Sequence, residues 1–235
     1  MQTARIESAW SRPQECEACG VRQLVLFSDL QHNDFRLIHE PIDDLHFDAG
    51  DSLFRAGDSA RHVYTIRGGL VKLELILRDG TSRIVRLLRQ GDVAGLEALT
   101  DSPYAQDAVA LEPVDVCRIP SATVNRLNEE TPRLHRQLTR RWQEAVHDAD
   151  AWLTDLMSGS ARMRVLRLLR HLAGLADAQR FYLPSREDIG AMLAITTETA
   201  SRIVAELRRN GVLTVLDAHH ARADLAAIER LLAAE

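Results

Sequence analysis

The chain has 235 residues, 46% of them hydrophobic and 27% charged, a balance that supports a buried core and excludes a wholly disordered protein. Its length suits either one large domain or a sensing domain joined to a small effector domain. The formal net charge is −5, which argues against coating nucleic acid through bulk positive charge. The charge is unevenly spread, however. Residues 159–235 carry 11 Lys and Arg against 9 Asp and Glu, and the remainder carries 18 against 25, so the C-terminal part is where a polyanion would dock.

The first ten residues, Met1 to Trp10, lack the apolar core of a signal peptide, and no later apolar run is long enough to cross a bilayer. A cytoplasmic protein with no membrane contact is expected. Cys16, Cys19 and Cys117 are the three cysteines. An odd number without a secretory signal does not suggest a disulfide framework and leaves metal, cluster or thiol chemistry open.

From about Leu45 to Ile119 short apolar-alternating segments are punctuated by glycines, among them Val63-Tyr-Thr-Ile66, Leu70 to Leu77 and Ile84 to Leu88. They read as strands, and Asp79-Gly80 between two of them is a hairpin signal. The pattern predicts an antiparallel β-roll or jelly roll. Pro120 ends it and Ser121 begins a helical region. A β-roll enzyme of the cupin type needs a clustered metal set, but residues 45–119 hold only His46 and His62. No nucleophile–base pair or phosphate-binding loop stands elsewhere, so an enzyme is not expected.

Leu134, Leu138, Trp142, Val146, Ala149, Leu153 and Leu156 recur at spacings of three and four with charged residues between them. This predicts one long amphipathic helix whose narrow, uncharged seam suits a homodimer contact, although an intramolecular docking helix gives the same stripe. Val165, Leu166, Leu168, Leu169 and Leu172 mark another helix. Phe181 to Pro184 reads as extended. Ser185, with Asp188 three residues on, fits a helix start. A break at Ile195-Thr-Thr197 precedes a helix from Glu198 to Asn210, ended by Gly211. Two short helices joined by a tight turn form a helix-turn-helix.

In the second helix Glu198, Ser201 and Arg202 share one face near the N-terminus, where they suit the base edges of a major groove. Arg202 matches guanine O6 and N7, Glu198 matches cytosine N4, and Ser201 suits a base or a thymine methyl. Ala200, Ile203, Val204 and Leu207 would pack on the other side. A plain surface helix with a Glu198–Arg202 ion pair fits the same spacing.

Ile189 to Arg202, followed by Leu207 and Gly211, is similar to the helix-turn-helix of the CRP/FNR superfamily. Phe54-Arg-Ala-Gly-Asp58, Val63 to Gly69 and Gly91-Asp-Val-Ala-Gly95 resemble its β-roll signatures. The resemblance implies an α+β protein in three parts. These are an N-terminal cysteine-bearing segment with an antiparallel, cyclic-nucleotide-binding-like β-roll sensor over 1–120, a long dimerisation helix over 121–158, and a C-terminal winged helix-turn-helix over 159–235. It also implies a homodimeric transcription regulator with double-stranded DNA and RNA polymerase as partners. Glu-x-x-Ser-Arg resembles the FNR branch. The CRP branch adds an Arg where Thr197 stands, so the implied target is a palindrome of TTGAT-type half-sites. Arg186, Thr197, Thr199, Arg208 and Arg209 would contact the DNA backbone. Val212 to Val215 and the segment around His219-His-Ala-Arg222 resemble the wing, with the paired histidines read as turn residues rather than metal ligands.

For the signal, a cyclic-nucleotide pocket of this family carries a Glu after the roll glycine and an Arg-Ser or Arg-Thr pair. Here Leu96-Glu97 follows Gly95 and the later position is Ala105-Gln-Asp107, whose carboxylate would repel a phosphate, so nucleotide binding is not expected. Cys16, Cys19 and Cys117 resemble three of the four iron–sulfur ligands of the FNR branch, with Val25 at the remaining position and Asp29 or His32 as oxygen or nitrogen substitutes. An oxygen- or NO-sensitive cluster, zinc, a thiol–disulfide switch, haem through His32, His39 or His62, and no effector at all stay open. A dimeric scaffold whose helix-turn-helix contacts protein is the rival from another class.

Overall fold

The computed structural model describes residues 5–7, 26, 42–175 and 180–234. The chain divides into two compact units, residues 1–75 with 86–146 and residues 76–85 with 147–235.

In the first unit β1 (Arg5–Glu7), β2 (Asp43–Phe47), β9 (Val114–Pro120), β4 (His62–Gly68) and β7 (Val93–Ala94) form one sheet in the order β1-β2-β9-β4-β7. A second sheet runs β3-β8-β5-β6, from β3 (Ser52–Phe54), β8 (Asp107–Ala110), β5 (Val71–Ile76) and β6 (Ser82–Leu88). The β2–β9, β4–β9 and β5–β8 pairs are antiparallel, as the alternating pattern predicts. The three runs singled out in the sequence are β4, β5 and β6. At the hairpin between β5 and β6, Asp79 accepts from both the backbone N–H and the hydroxyl of Thr81 at 2.9 and 2.7 Å. These bonds hold its carboxyl below the ordinary range.

Central β4 is buried at Val63, Tyr64, Thr65 and Ile66, without alternation, because both of its faces are covered. One cover is a cluster that joins Val63, Val93 and Ile119 of the sheet to Val124 and Leu127 of α1 (Ser121–Glu130) and to Leu134 and Leu138. Burying each such side chain stabilises by about 1.5–3 kcal/mol. Leu134 and Leu138 open α2 (Pro132–Ala151), a helix with proline at its first position. It continues into a π-helical turn, Trp152–Leu156. The long helix predicted from Leu134 to Leu156 is therefore present, with a change of winding in its last turn.

The second unit is built on α3 (Ala161–Gly174), whose Val165, Leu166, Leu168, Leu169 and Leu172 are buried. Around it lie α4 (Arg186–Leu193), α5 (Thr197–Arg209) and α6 (Leu225–Ala233). A three-stranded sheet runs β10 (Phe181–Tyr182), β12 (His220–Ala223), β11 (Leu213–Val215). The architecture is the α+β arrangement expected. Among the described residues no helix is long and apolar enough to cross a membrane.

Candidate nucleic-acid interface

Helix α4 starts where the capping pattern places it. The Ser185 hydroxyl accepts from the Asp188 backbone N–H at 3.0 Å and donates to the Asp188 carboxylate at 2.8 Å. The helix ends in a tight turn at Ala194, whose φ of 54° and ψ of 45° are left-handed. Gly190 makes that turn possible, because a Cβ there would lie 2.8 Å from the Ile195 carbonyl oxygen.

Helix α5 begins at Thr197, one residue before the sequence reading, because Thr196 is the cap. Its hydroxyl accepts from the Thr199 N–H at 3.2 Å and bonds the Thr199 hydroxyl at 3.1 Å. The other end closes with the Val212 N–H on the Leu207 carbonyl at 3.0 Å around Gly211, φ 72°. Ala200, Ile203, Val204 and Leu207 are buried, and Thr197, Glu198, Ser201 and Arg202 are exposed on the other side. The structure thus brings the three predicted base-reading side chains onto one open face.

That face is electrostatically open as well. Glu198 is held below the usual carboxylate range first by its own backbone N–H and then by the Thr196 hydroxyl. Among the described residues no ion pair joins it to Arg202, so the plain i,i+4 salt bridge does not form, and Arg202 keeps its donor fork for another partner. Arg208 and Arg209 are exposed in the last turn of α5. Half-buried Arg186 feels the like charge of Arg208, and burial first and that charge second lower its pKa. Thr199 is half-buried and engaged in the cap, which leaves Thr197 as the open threonine of the pair.

In the strand turn after α5, Asp217 is a hub. It accepts from the His219 backbone N–H at 2.9 Å, pairs with His220 Nδ1 at 2.9 Å and takes Arg180 Nη2 at 2.7 Å. The His219 N–H foremost, then His220 and Arg180, draw its carboxyl down to about 2. His219 stands in the turn with its ring parallel to Tyr182, while His220 is half-buried at the start of β12. Among the described residues no group of three His, Cys, Asp or Glu is placed to hold a metal ion.

Residues 44–131 match the family model of the cyclic nucleotide-binding domain, and residues 163–232 match that of the Crp-like helix-turn-helix domain. The chain is 28% identical over 208 residues to the fumarate and nitrate reduction regulatory proteins of Vibrio cholerae and Escherichia coli K12, covering 85% of this chain and 83% of theirs. The chain belongs to the CRP/FNR family of transcription regulators. Its fold is similar to FixK2 from Bradyrhizobium japonicum, with a TM-score of 0.73 at 24% identity over 82% of this chain and 98% of that one. A CRP-family transcriptional regulator from Thermus thermophilus gives a TM-score of 0.68 at 28% identity over 80% and 96% of the two chains. CRP/FNR proteins are DNA-binding regulators and not enzymes, and the exposed face of α5 belongs to the matched helix-turn-helix.

In the β-roll of this CRP/FNR protein, Gly95 has a φ of 74°, and a Cβ on it would lie 2.9 Å from the His62 carbonyl oxygen and from the Tyr104 ring. Tyr104 donates to that carbonyl at 2.8 Å and stacks on Phe54 at 3.9 Å, and Phe54 in turn meets Tyr64 at 5.4 Å. Burial pushes both phenols up. Asp107 accepts the Ala56 N–H at 2.7 Å, and Glu97 takes the Ala105 N–H at 3.4 Å. Nothing in the sequence reading anticipated this aromatic cluster. The large ring at position 104 is its one local sign.

Cys117 is half-buried on β9, its thiol donating to Asp44 at 3.4 Å, and Asp44 also binds Arg67 at 2.6 Å. Cys16, Cys19, Val25, Asp29, His32 and His39 lie outside the described residues. Leu26 is fully buried in the cluster against which Cys117 packs.

The predicted dimer seam divides. Leu134 and Leu138 are core residues of the first unit, and Leu156 is buried in the second, where the π-turn packs on α3 and Trp152 meets His171 edge-on at 6.1 Å. Side chains buried within one protomer have little surface left for a partner. Trp142, Val146 and Leu153 are 44%, 60% and 63% exposed, with Ala149 half-buried between them, so the open part of the seam is shorter than the stripe.

Proposed function

We propose that this CRP/FNR regulator binds, as a homodimer, a palindrome of TTGAT-type half-sites and that oxygen, NO or redox state controls its activity. Glu198, Ser201 and Arg202 read base edges. Arg186, Thr197, Arg208 and Arg209 hold the phosphates and fix register, while Thr199, expected beside them from the sequence, is engaged in the cap. The observation that carries this reading is the α5 face, on which Glu198 and Arg202 are exposed and not paired with each other. In the three-part division proposed from the sequence, residues 121–158 supply the dimer contact through Trp142, Val146, Ala149 and Leu153, and RNA polymerase is the onward partner.

Selection of duplexes from a randomised pool tests the DNA reading. Enrichment of a TTGAT-type palindrome with half-sites about one helical turn apart supports it, and a steep fall of binding with salt marks a phosphate-contacting protein. A chain that selects no sequence and binds without salt dependence is a protein-interaction scaffold instead.

The four-thiolate iron–sulfur site of the FNR branch is not matched by the residues present. There are three cysteines where that site needs four, and the thiol of Cys117 donates to the Asp44 carboxylate. The proposed redox response therefore rests on the thiols themselves. Anaerobic purification with iron and sulfide analysis tests it. A colourless, iron-free protein leaves thiol chemistry, and bound iron with sulfide contradicts this reading. Cyclic-nucleotide control is not proposed, because Asp107 stands where the family's pocket offers an Arg to the phosphate, and Leu96 rather than a Glu directly follows Gly95.

A further inference from the structure

Helix α3 grips both helices of the helix-turn-helix through two arginines that the DNA-reading role does not use. Arg162 and Arg164 are two positions apart, about 200° around a helix, so their long side chains leave α3 in different directions. Arg162 Nε binds Glu206 Oε1 at 3.2 Å, with both side chains half-buried, and Glu206 lies in the second half of α5. Arg164 Nη1 donates to the Leu193 carbonyl oxygen at 2.6 Å. Leu193 is the last residue of α4, so this carbonyl is one of the four that a helix end leaves without an internal partner, at the negative end of its dipole. A guanidinium there makes a charge-assisted bond. The next residue is Ala194, left-handed and not glycine, and the chain then turns over Gly190 into α5.

We propose that Arg162 and Arg164 are positioning residues that fix the angle of α5, so that affinity for the specific sequence depends on them while affinity for DNA at large does not. The chemistry separates the two. Reading a base pair through a bidentate Arg202 needs α5 held in one orientation, whereas phosphate attraction is long-ranged and tolerates tilt. Arg164 caps the end of α4, and Arg162 ties down the body of α5. Together they brace the turn on which Ala194 sits. The inference rests on α5 being the base-reading helix.

The test uses the full chain, the duplex that the parent selects and a scrambled duplex of the same length. Fluorescence anisotropy is recorded well below the melting temperature of each variant. In Arg164→Ala the affinity for the selected duplex is expected to fall about tenfold while that for the scrambled duplex changes by less than about twofold. Arg164→Lys, which still offers one cationic donor to one carbonyl, recovers most of the loss. Glu206→Gln keeps helix propensity at a half-exposed site and serves where Arg164→Ala does not fold. It too lowers the ratio of selected to scrambled affinity. A ratio equal to the parent's in folded Arg164→Ala, or in Glu206→Gln, overturns the inference. A parent that does not discriminate between the two duplexes sinks the base-reading assignment itself, a result distinct from either.

Discussion

Helices α5 and α2 are both amphipathic, but they expose opposite halves of their pattern. In α5 the apolar stripe Ala200, Ile203, Val204 and Leu207 is fully spent on the core, and charged and hydroxyl side chains face outward. In α2 and the π-turn that continues it, the ends of the stripe are spent while Trp142, Val146 and Leu153 stay open. An apolar stripe in a sequence marks what a helix is able to bury. Only tertiary structure tells how much has already been buried, and the remainder indicates the chemistry of the partner. A polar remainder suits DNA, whereas an apolar remainder suits another protein surface.

The comparison breaks most sharply at Val146. Val146→Asp is expected to leave each protomer folded and to put an uncompensated charge into the proposed contact, costing about 3–5 kcal/mol. Sedimentation would show a folded monomer, and an unchanged dimer would remove α2 from the interface. Leu138→Ala, on the same stripe but in the core, should instead lower the stability of the fold by about 2–5 kcal/mol. Thermal unfolding reads this, and selective dissociation without loss of stability would contradict it. On α5, Thr196→Ala removes the cap and should cost about 1 kcal/mol, seen as a lower melting temperature.

The smallest effect is in the wing. Asp217 has a folded pKa of about 2, below its unfolded value of 3.8, so its contribution to stability is present above about pH 4 and is lost as pH falls toward 2. Asp217→Asn should lower stability slightly at neutral pH, where the ionised carboxylate pairs with Arg180 and His220, and flatten the profile between about pH 4 and 2, so that variant and parent converge at low pH.

Much of this was legible in the sequence for a local reason. The four apolar residues of α5, the Ser185–Asp188 cap and the Asp79-Gly80 hairpin depend on neighbours within a turn or two. Other features are long-range. Nothing near Arg164 says that its guanidinium meets Leu193, 29 residues on. Leu138 and Trp142 are one turn apart on one stripe, and their different fates depend on the β-roll cluster that covers only the first. The stacking of Tyr104 on Phe54 and the three-way pairing at Asp217 likewise arise from strands folding back on each other.

The central claim is that α5 reads bases through Glu198, Ser201 and Arg202. Its most direct test is the affinity of Arg202→Ala for a TTGAT palindrome and for duplexes altered at one base pair at a time. The account predicts a loss of about 1–3 kcal/mol per half-site and relaxed preference at a single G·C pair. Binding as tight and as selective as that of the parent would contradict it.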